Sequence, residues 1–139
     1  MNRNLAKSHR RHRVLVLAEG NENGDLLSFL LKTGGFGVTV SRSSDETMRS
    51  LLRGRPEAVV VDLPSKKGNN SLKIEFIRKG WPGIPIITLV PPECLQLGEE
   101  AVKSGATGYL TKPVDFSEMK GLLQEALLQS ESTHQIQSG

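Results

Sequence analysis

The side-chain groups that could carry out chemistry at the ends of the apolar segments are carboxylates, an ammonium group and hydroxyls. Glu19 follows the apolar run Val14–Ala18, Asp62 closes the run Ala58–Val61, and Lys112 follows the segment GYLT. The three histidines lie near the two chain ends, and there is one cysteine. These counts exclude an internal disulfide and a CxxC motif, and they also exclude a Ser-His-Asp, Cys-His or histidine-rich metal site in the folded part.

The elements that must position these groups alternate along the chain. Continuous apolar runs are typical of parallel strands that are covered on both faces. Apolar residues at helical spacing separate them and predict five helices. The predicted fold is α/β: a single doubly wound five-stranded parallel sheet with helices on both faces. Its five predicted strands are Val14–Leu17, Gly37–Ser41, Ala58–Asp62, Ile86–Val90 and Gly108–Thr111.

Local signals mark several helix ends. The pair Gly34-Gly35 predicts a left-handed stop for the first helix, and Gly105 predicts the end of the helix that spans 95–104. Ser43 and Glu46 have capping-box spacing, which predicts a helix continuing through Leu52. The last apolar stripe ends near residue 128, so we expect a frayed polar tail beyond it.

Length and charge divide the chain into an arm, one domain and a tail. With 139 residues there is room for one core, and no apolar run approaches the roughly 20 residues of a membrane helix. Residues 1–13 carry five basic groups and no acid, whereas the rest carries 13 basic and 15 acidic groups. We therefore expect a basic flexible arm over 1–12, a near-neutral domain over 13–129 and a polar tail over 130–139. The near-neutral domain argues against nucleic-acid binding.

The predicted sheet gathers its polar residues at one rim. In an open parallel sheet, ligands bind at the carboxyl ends of the strands, where Glu19, Asp62, Val90 and Lys112 fall. Taken singly, Asp62 fits a turn or cap, and Glu19 fits the acidic start of a helix. The sequence has neither GxGxxG nor GxxxxGK[ST], which disfavours a nucleotide-binding enzyme of similar architecture.

Three motifs in this order carry a family resemblance: RVLVLAE at 13–19, VVVD ending at Asp62, and GATGYLTKP at 105–113. Over 13–129 the sequence resembles the receiver domain of two-component response regulators. The resemblance implies that Asp62 is the phosphoacceptor and that Lys112 pairs with the phosphate. It also implies a cis peptide bond between Lys112 and Pro113.

The resemblance implies a magnesium site as well. Its ligands would be the carboxylates of Glu19 and Asp62 and the backbone carbonyl of Pro64. Three positions depart from the family pattern, and one of them is Glu19, a glutamate where the family has aspartate. Ala18 replaces the first of two acids, which predicts weaker metal binding, and Val90 replaces the Ser or Thr that ends the fourth strand. Tyr109 matches the family's switching aromatic residue but lacks that hydroxyl partner.

Two functions remain open on this basis. The chain is either a receiver that is phosphorylated on Asp62 by a histidine kinase or phosphotransfer protein, or a pseudo-receiver that acts as a phosphorylation-independent interaction module. Asp62, Glu19 and Lys112 favour the first, and Ala18 and Val90 favour the second. We expect a cytoplasmic protein with no enzymatic turnover and no membrane partner. It would signal to a downstream protein or a fused output domain, or form a homodimer through the face of helix 4, strand 5 and helix 5.

Overall fold

Within the part of the chain that the structure describes, five parallel strands form one sheet, as the sequence predicts, and their order in the sheet is β2-β1-β3-β4-β5. A computed structural model describes residues 11–19, 24–63 and 70–138, so Pro64 and most of the basic arm lie outside the described residues. The strands are β1 Arg13–Leu17, β2 Gly37–Ser41, β3 Ala58–Asp62, β4 Ile86–Val90 and β5 Gly108–Thr111. The α-helices are α1 Gly24–Thr33, α2 Ser44–Arg49, α3 Asn70–Gly80, α4 Leu95–Ser104 and α5 Phe116–Ser138.

Helices cover both faces of the sheet and create two apolar cores. On one face, Val16, Val60 and Leu89 pack with residues of α1 and α5. On the other face, Leu15 and Val61 pack with residues of α3, α4 and the segment after α2. Because both faces are buried, the strands need apolar residues at consecutive positions, and this explains their continuous apolar runs. Within the described residues, no helix combines the length and apolarity needed to cross a bilayer.

The predicted helix ends at 35, 43 and 105 are confirmed. Gly35 and Gly105 have φ values of 103° and 124°, which side chains other than glycine rarely tolerate. The Ser43 hydroxyl accepts a hydrogen bond from the Glu46 N–H at 3.2 Å. The Glu46 carboxylate turns back and accepts from the Arg42 N–H at 2.6 Å, one residue before the position that a standard capping box uses.

The helix expected to continue through Leu52 changes its winding. It ends as α-helix at Arg49 and continues as a π-helical turn over Ser50–Gly54. This turn buries Leu51 and leaves Leu52 exposed. The Arg13 guanidinium donates hydrogen bonds to the carbonyl oxygens of Gly54 and Arg55, which satisfies acceptors that the end of a helix leaves unpaired.

The expectation of a frayed tail after residue 128 is wrong for the described residues, because α5 continues to Ser138. Residues 129–138 contain no glycine or proline, so nothing in their sequence stops the helix. The Ser130 hydroxyl also donates to the Gly83 carbonyl at 3.1 Å, which attaches this part of α5 to the loop before β4.

The packing of α4 on β5 depends on a glycine. A Cβ atom at Gly98 would overlap the ring of Tyr109, whereas a Cβ atom at Gly121 on α5 would meet no atom within 4 Å. The Tyr109 ring therefore occupies the space that any other residue at position 98 would fill.

We predict that Gly98→Ala destabilises the protein by roughly 1–3 kcal/mol, because the ring must move and the close packing is lost. The matched change Gly121→Ala stabilises it by up to about 1 kcal/mol through helix propensity alone. Urea unfolding of the two variants measures both effects. Equal stabilisation by both changes would contradict the packing described here.

Candidate functional site

The carboxyl ends of β1 and β3 lie side by side where the strand order reverses. Leu17 pairs in register with Val61, and Asp62 pairs with Leu89 of β4. In open parallel sheets this crevice is where ligands bind. The sheet topology therefore brings the segment after β1 and the last residue of β3 to the same edge.

Asp62 and Lys112 form a buried ion pair at this edge. The Lys112 Nζ atom lies 2.6 Å from Asp62 Oδ1, and the Asp62 side chain is almost fully buried. Lys112 Nζ also donates to the Leu63 carbonyl at 2.6 Å, so the ammonium bridges the strand end and the residue that follows it. Burial raises the pKa of the Asp62 carboxyl, and the hydrogen bond and charge of Lys112 oppose that rise.

The loop after β5 fixes the position of Lys112. Its backbone N–H donates to the Val90 carbonyl at 2.8 Å, which continues the pairing of β4 and β5 by one residue. The next peptide bond, Lys112–Pro113, is cis. The ammonium group therefore reaches Asp62 from a backbone that is hydrogen-bonded to the end of β4.

Glu19 has a different partner. The Lys73 Nζ atom on α3 lies 2.8 Å from Glu19 Oε1, and both side chains are partly exposed. Glu19 and Lys73 line a cleft of about 320 Å³ between α2 and α3. Asp62 and Lys112 instead line a cleft of about 460 Å³ between α1 and the start of α5. The structure thus brings Asp62 and Lys112 together and places the Glu19 carboxylate in a neighbouring cleft.

Ala18 contributes no polar group to this edge. Ala18 is fully buried. A Cβ atom added to Gly24 would lie only 2.9 Å from the Cβ atom of Ala18. The start of α1 is therefore packed directly on the residue that replaces the family's first acid.

The donor set fits a divalent cation such as Mg²⁺ in type, because Glu19 and Asp62 both supply hard carboxylate oxygens. Among the described residues, however, each carboxylate is already paired with a lysine ammonium group. A cation must compete with these ammonium groups. Lys73 is the site residue that sequence reasoning missed, because no spacing motif connects a helix position to an acid 54 residues earlier.

The residues of the expected switch lie on the opposite face of the sheet from the cleft that Asp62 and Lys112 line. Val90 is fully buried in the core formed with α3 and α4, and the half-buried Tyr109 packs against the same core. Thr88 is the register neighbour of Tyr109 and is also fully buried. Within the described part of the chain, the Thr88 hydroxyl has no hydrogen-bond partner.

Known proteins of similar sequence cover most of this chain. No protein-family model matches the chain. The transcriptional regulatory protein ZraR of Escherichia coli is 24% identical over 119 residues, which are 86% of this chain and 27% of ZraR. The chain thus spans about a quarter of that relative. A 14.6 kDa protein of Leptolyngbya boryana, encoded in the sodA1 3' region, is 32% identical over 83% of this chain and 89% of its own length.

The solved structures agree with the sequence comparison. The response regulator receiver domain from Clostridium thermocellum superposes with a TM-score of 0.77 at 24% identity. The match covers 88% of this chain and 98% of that one. Its fold is the five-stranded parallel sheet with flanking helices described above. The chain belongs to the receiver domains of two-component response regulators.

Proposed function

We propose that Asp62 accepts a phosphoryl group from the phosphohistidine of a partner kinase or phosphotransfer protein. The observation that carries this proposal is the Asp62–Lys112 pair, a carboxylate and an ammonium group 2.6 Å apart at the carboxyl edge of the sheet. A carboxylate in this position is a nucleophile of a known kind, and the ammonium provides a counter-charge for an incoming phosphoryl group.

The transfer makes one bond and breaks another. An Asp62 carboxylate oxygen forms the new P–O bond while the P–N bond to the donor imidazole breaks, and the electron pair of that bond stays on the imidazole nitrogen. The attack requires the ionised carboxylate, which Lys112 favours against the effect of burial. In this proposal the donor approaches Asp62 through the cleft between α1 and α5, which Asp62 and Lys112 line.

Mg²⁺ belongs to the same proposal. Asp62, Glu19 and the carbonyl of Pro64 would hold it, and bound Mg²⁺ supplies positive charge that offsets the charge of the transferring group. Because the Ala18 side chain offers no ligand oxygen and Lys73 forms an ion pair with Glu19, we propose that Mg²⁺ binds weakly. The partners are a histidine kinase or phosphotransfer protein and a downstream protein or fused output domain. We place this activity in the cytoplasm.

A second candidate function is a pseudo-receiver that binds partners without phosphorylation. Ala18 and Val90 favour it, because both are fully buried apolar residues where an acid and a hydroxyl serve the phosphorylated family members. The two candidates differ in one measurable property, which is whether Asp62 is modified.

We predict that acetyl phosphate with Mg²⁺ adds one phosphoryl group to the protein and that Asp62→Asn abolishes the modification, because the amide is not a nucleophile of comparable strength. Intact-mass spectrometry and gels that retard phosphorylated protein measure the modification. The exposed acid Asp45 offers a matched control, and Asp45→Asn should be modified normally. An unmodified wild-type protein at saturating donor and metal would favour the interaction module.

We predict that Lys73→Met tightens Mg²⁺ binding by about 2–5-fold, because the metal no longer competes with a partly exposed ion pair at Glu19. Isothermal titration with Mg²⁺ measures the affinity. Lys79→Met is the control, since Lys79 is an exposed lysine on the same helix. If Lys73→Met weakens binding or matches Lys79→Met, Glu19 is not a metal ligand.

We predict that Val90→Thr lowers the unfolding free energy of the unmodified protein by roughly 1–3 kcal/mol, because it buries a hydroxyl among apolar side chains. Phosphorylation should then stabilise this variant more than it stabilises wild type, because Asp62 pairs with Leu89, the residue before position 90, and the new hydroxyl can turn around the strand end toward the charged group. Thermal unfolding with and without acetyl phosphate measures the difference. An equal shift in both proteins would show that position 90 does not report on phosphorylation.

A further inference from the structure

A second group of ligand-type side chains lies at the opposite edge of the sheet from Asp62. His12 immediately precedes β1, Glu57 immediately precedes β3, and Glu131 projects from α5. His12 Nδ1 lies 3.1 Å from Glu57 Oε2, and His12 Nε2 lies 4.0 Å from Glu131 Oε2. One ligand atom from each of the three side chains can be chosen so that all lie within 4.8 Å of one another. Three separate parts of the chain therefore meet at one imidazole.

Two of these residues are held by the sheet itself. The His12 carbonyl accepts from the Gly37 N–H at 2.9 Å, which extends the β1–β2 pairing backward to residue 12. The Glu57 N–H donates to the Arg13 carbonyl at 2.7 Å. The Arg13 N–H donates to Glu57 Oε1 at 3.0 Å, so the other carboxylate oxygen faces His12. Hydrogen bonds of this kind orient ligands in metal sites.

The third residue is brought in by the extension of α5 that the sequence did not predict. Ser130 holds this part of the helix to the Gly83 carbonyl, and the next residue is Glu131. Its carboxylate is about half exposed, which leaves one side of the group open to solvent. The open side gives room for the water that completes the coordination of an ion held by three protein ligands.

We propose that His12, Glu57 and Glu131 bind a divalent transition-metal ion such as Zn²⁺. One imidazole nitrogen and two carboxylates form a ligand set that such ions accept at about 2.0–2.2 Å, which places neighbouring ligand atoms roughly 3–4 Å apart. Because His12 Nδ1 faces Glu57 and His12 Nε2 faces Glu131, the side chains must rotate to bring one imidazole nitrogen and both carboxylates onto one ion. The mixed nitrogen and oxygen ligands and the open side distinguish this site from the one proposed at Asp62. That site has oxygen ligands only, which favours Mg²⁺.

The bound ion would join α5 to the base of the sheet. Glu131 lies in the carboxyl-terminal half of α5, whereas His12 and Glu57 are attached to the amino ends of β1 and β3. Binding would therefore stabilise the folded chain and the helical state of 129–138 in particular, by mass action on the state that contains the site. This inference does not depend on phosphorylation of Asp62.

The test is a Zn²⁺ titration of the full chain by calorimetry, in a background with His9→Gln, His134→Gln and Cys94→Ser. This background leaves His12 as the sole imidazole and removes the thiol. We expect one ion per chain. Glu131→Gln, which alters an exposed helix residue, should weaken binding at least about 10-fold, as should His12→Gln. Glu125→Gln on the same helix is the matched control and should bind as the background does.

A second measurement separates metal binding from an ordinary ion pair. Zn²⁺ at about 100 times its dissociation constant should raise the melting temperature of the background protein by about 5–10 °C and leave His12→Gln unchanged. If His12 serves only as a protonated partner of the two carboxylates, Zn²⁺ will neither bind at about 100 μM nor shift the melting temperature. Equal Zn²⁺ affinity in the Glu131→Gln, His12→Gln and background proteins would also overturn the proposal.

Discussion

The buried ion pair of Asp62 and Lys112 is the constraint on which the carboxyl edge of this sheet depends. A carboxylate at the end of a fully buried strand is costly unless a charge and hydrogen bonds compensate it. Lys112 supplies that charge at 2.6 Å and is itself held by the Leu63 carbonyl. The loop after β5 must therefore return to β3, which fixes the geometry around the proposed phosphoacceptor.

Charge pairing also explains why this edge differs from a strongly acidic metal site. Glu19 pairs with Lys73, Asp62 pairs with Lys112, and Ala18 is packed under α1. Both acids thus already have a lysine partner before any cation arrives. A phosphoryl donor or a metal must rearrange these pairs, and this requirement links the proposed weak Mg²⁺ binding to the proposed chemistry at Asp62.

The two edges of the sheet hold different kinds of groups. The carboxyl edge has carboxylates and lysines beside two clefts, whereas the amino edge has one histidine between two glutamates. Because α5 begins next to Lys112 and passes Glu131 near its other end, it contacts both edges. An ion at His12 would therefore act on the same helix whose first turn borders the Asp62 cleft.

The sequence by itself determined the five-stranded parallel sheet, its strand bounds to within one residue, and the placement of Asp62 and Lys112 at strand ends on one rim. Those features follow from local apolar runs, glycine stops and short motifs, which depend on neighbouring residues only. Only the tertiary structure decided the partner of Glu19, the extent of α5 and the meeting of His12 with Glu57 and Glu131. These contacts join residues that are 45 or more positions apart, or depend on how a polar helix end docks. Side-chain direction and helix docking set them, and no short-range pattern encodes either.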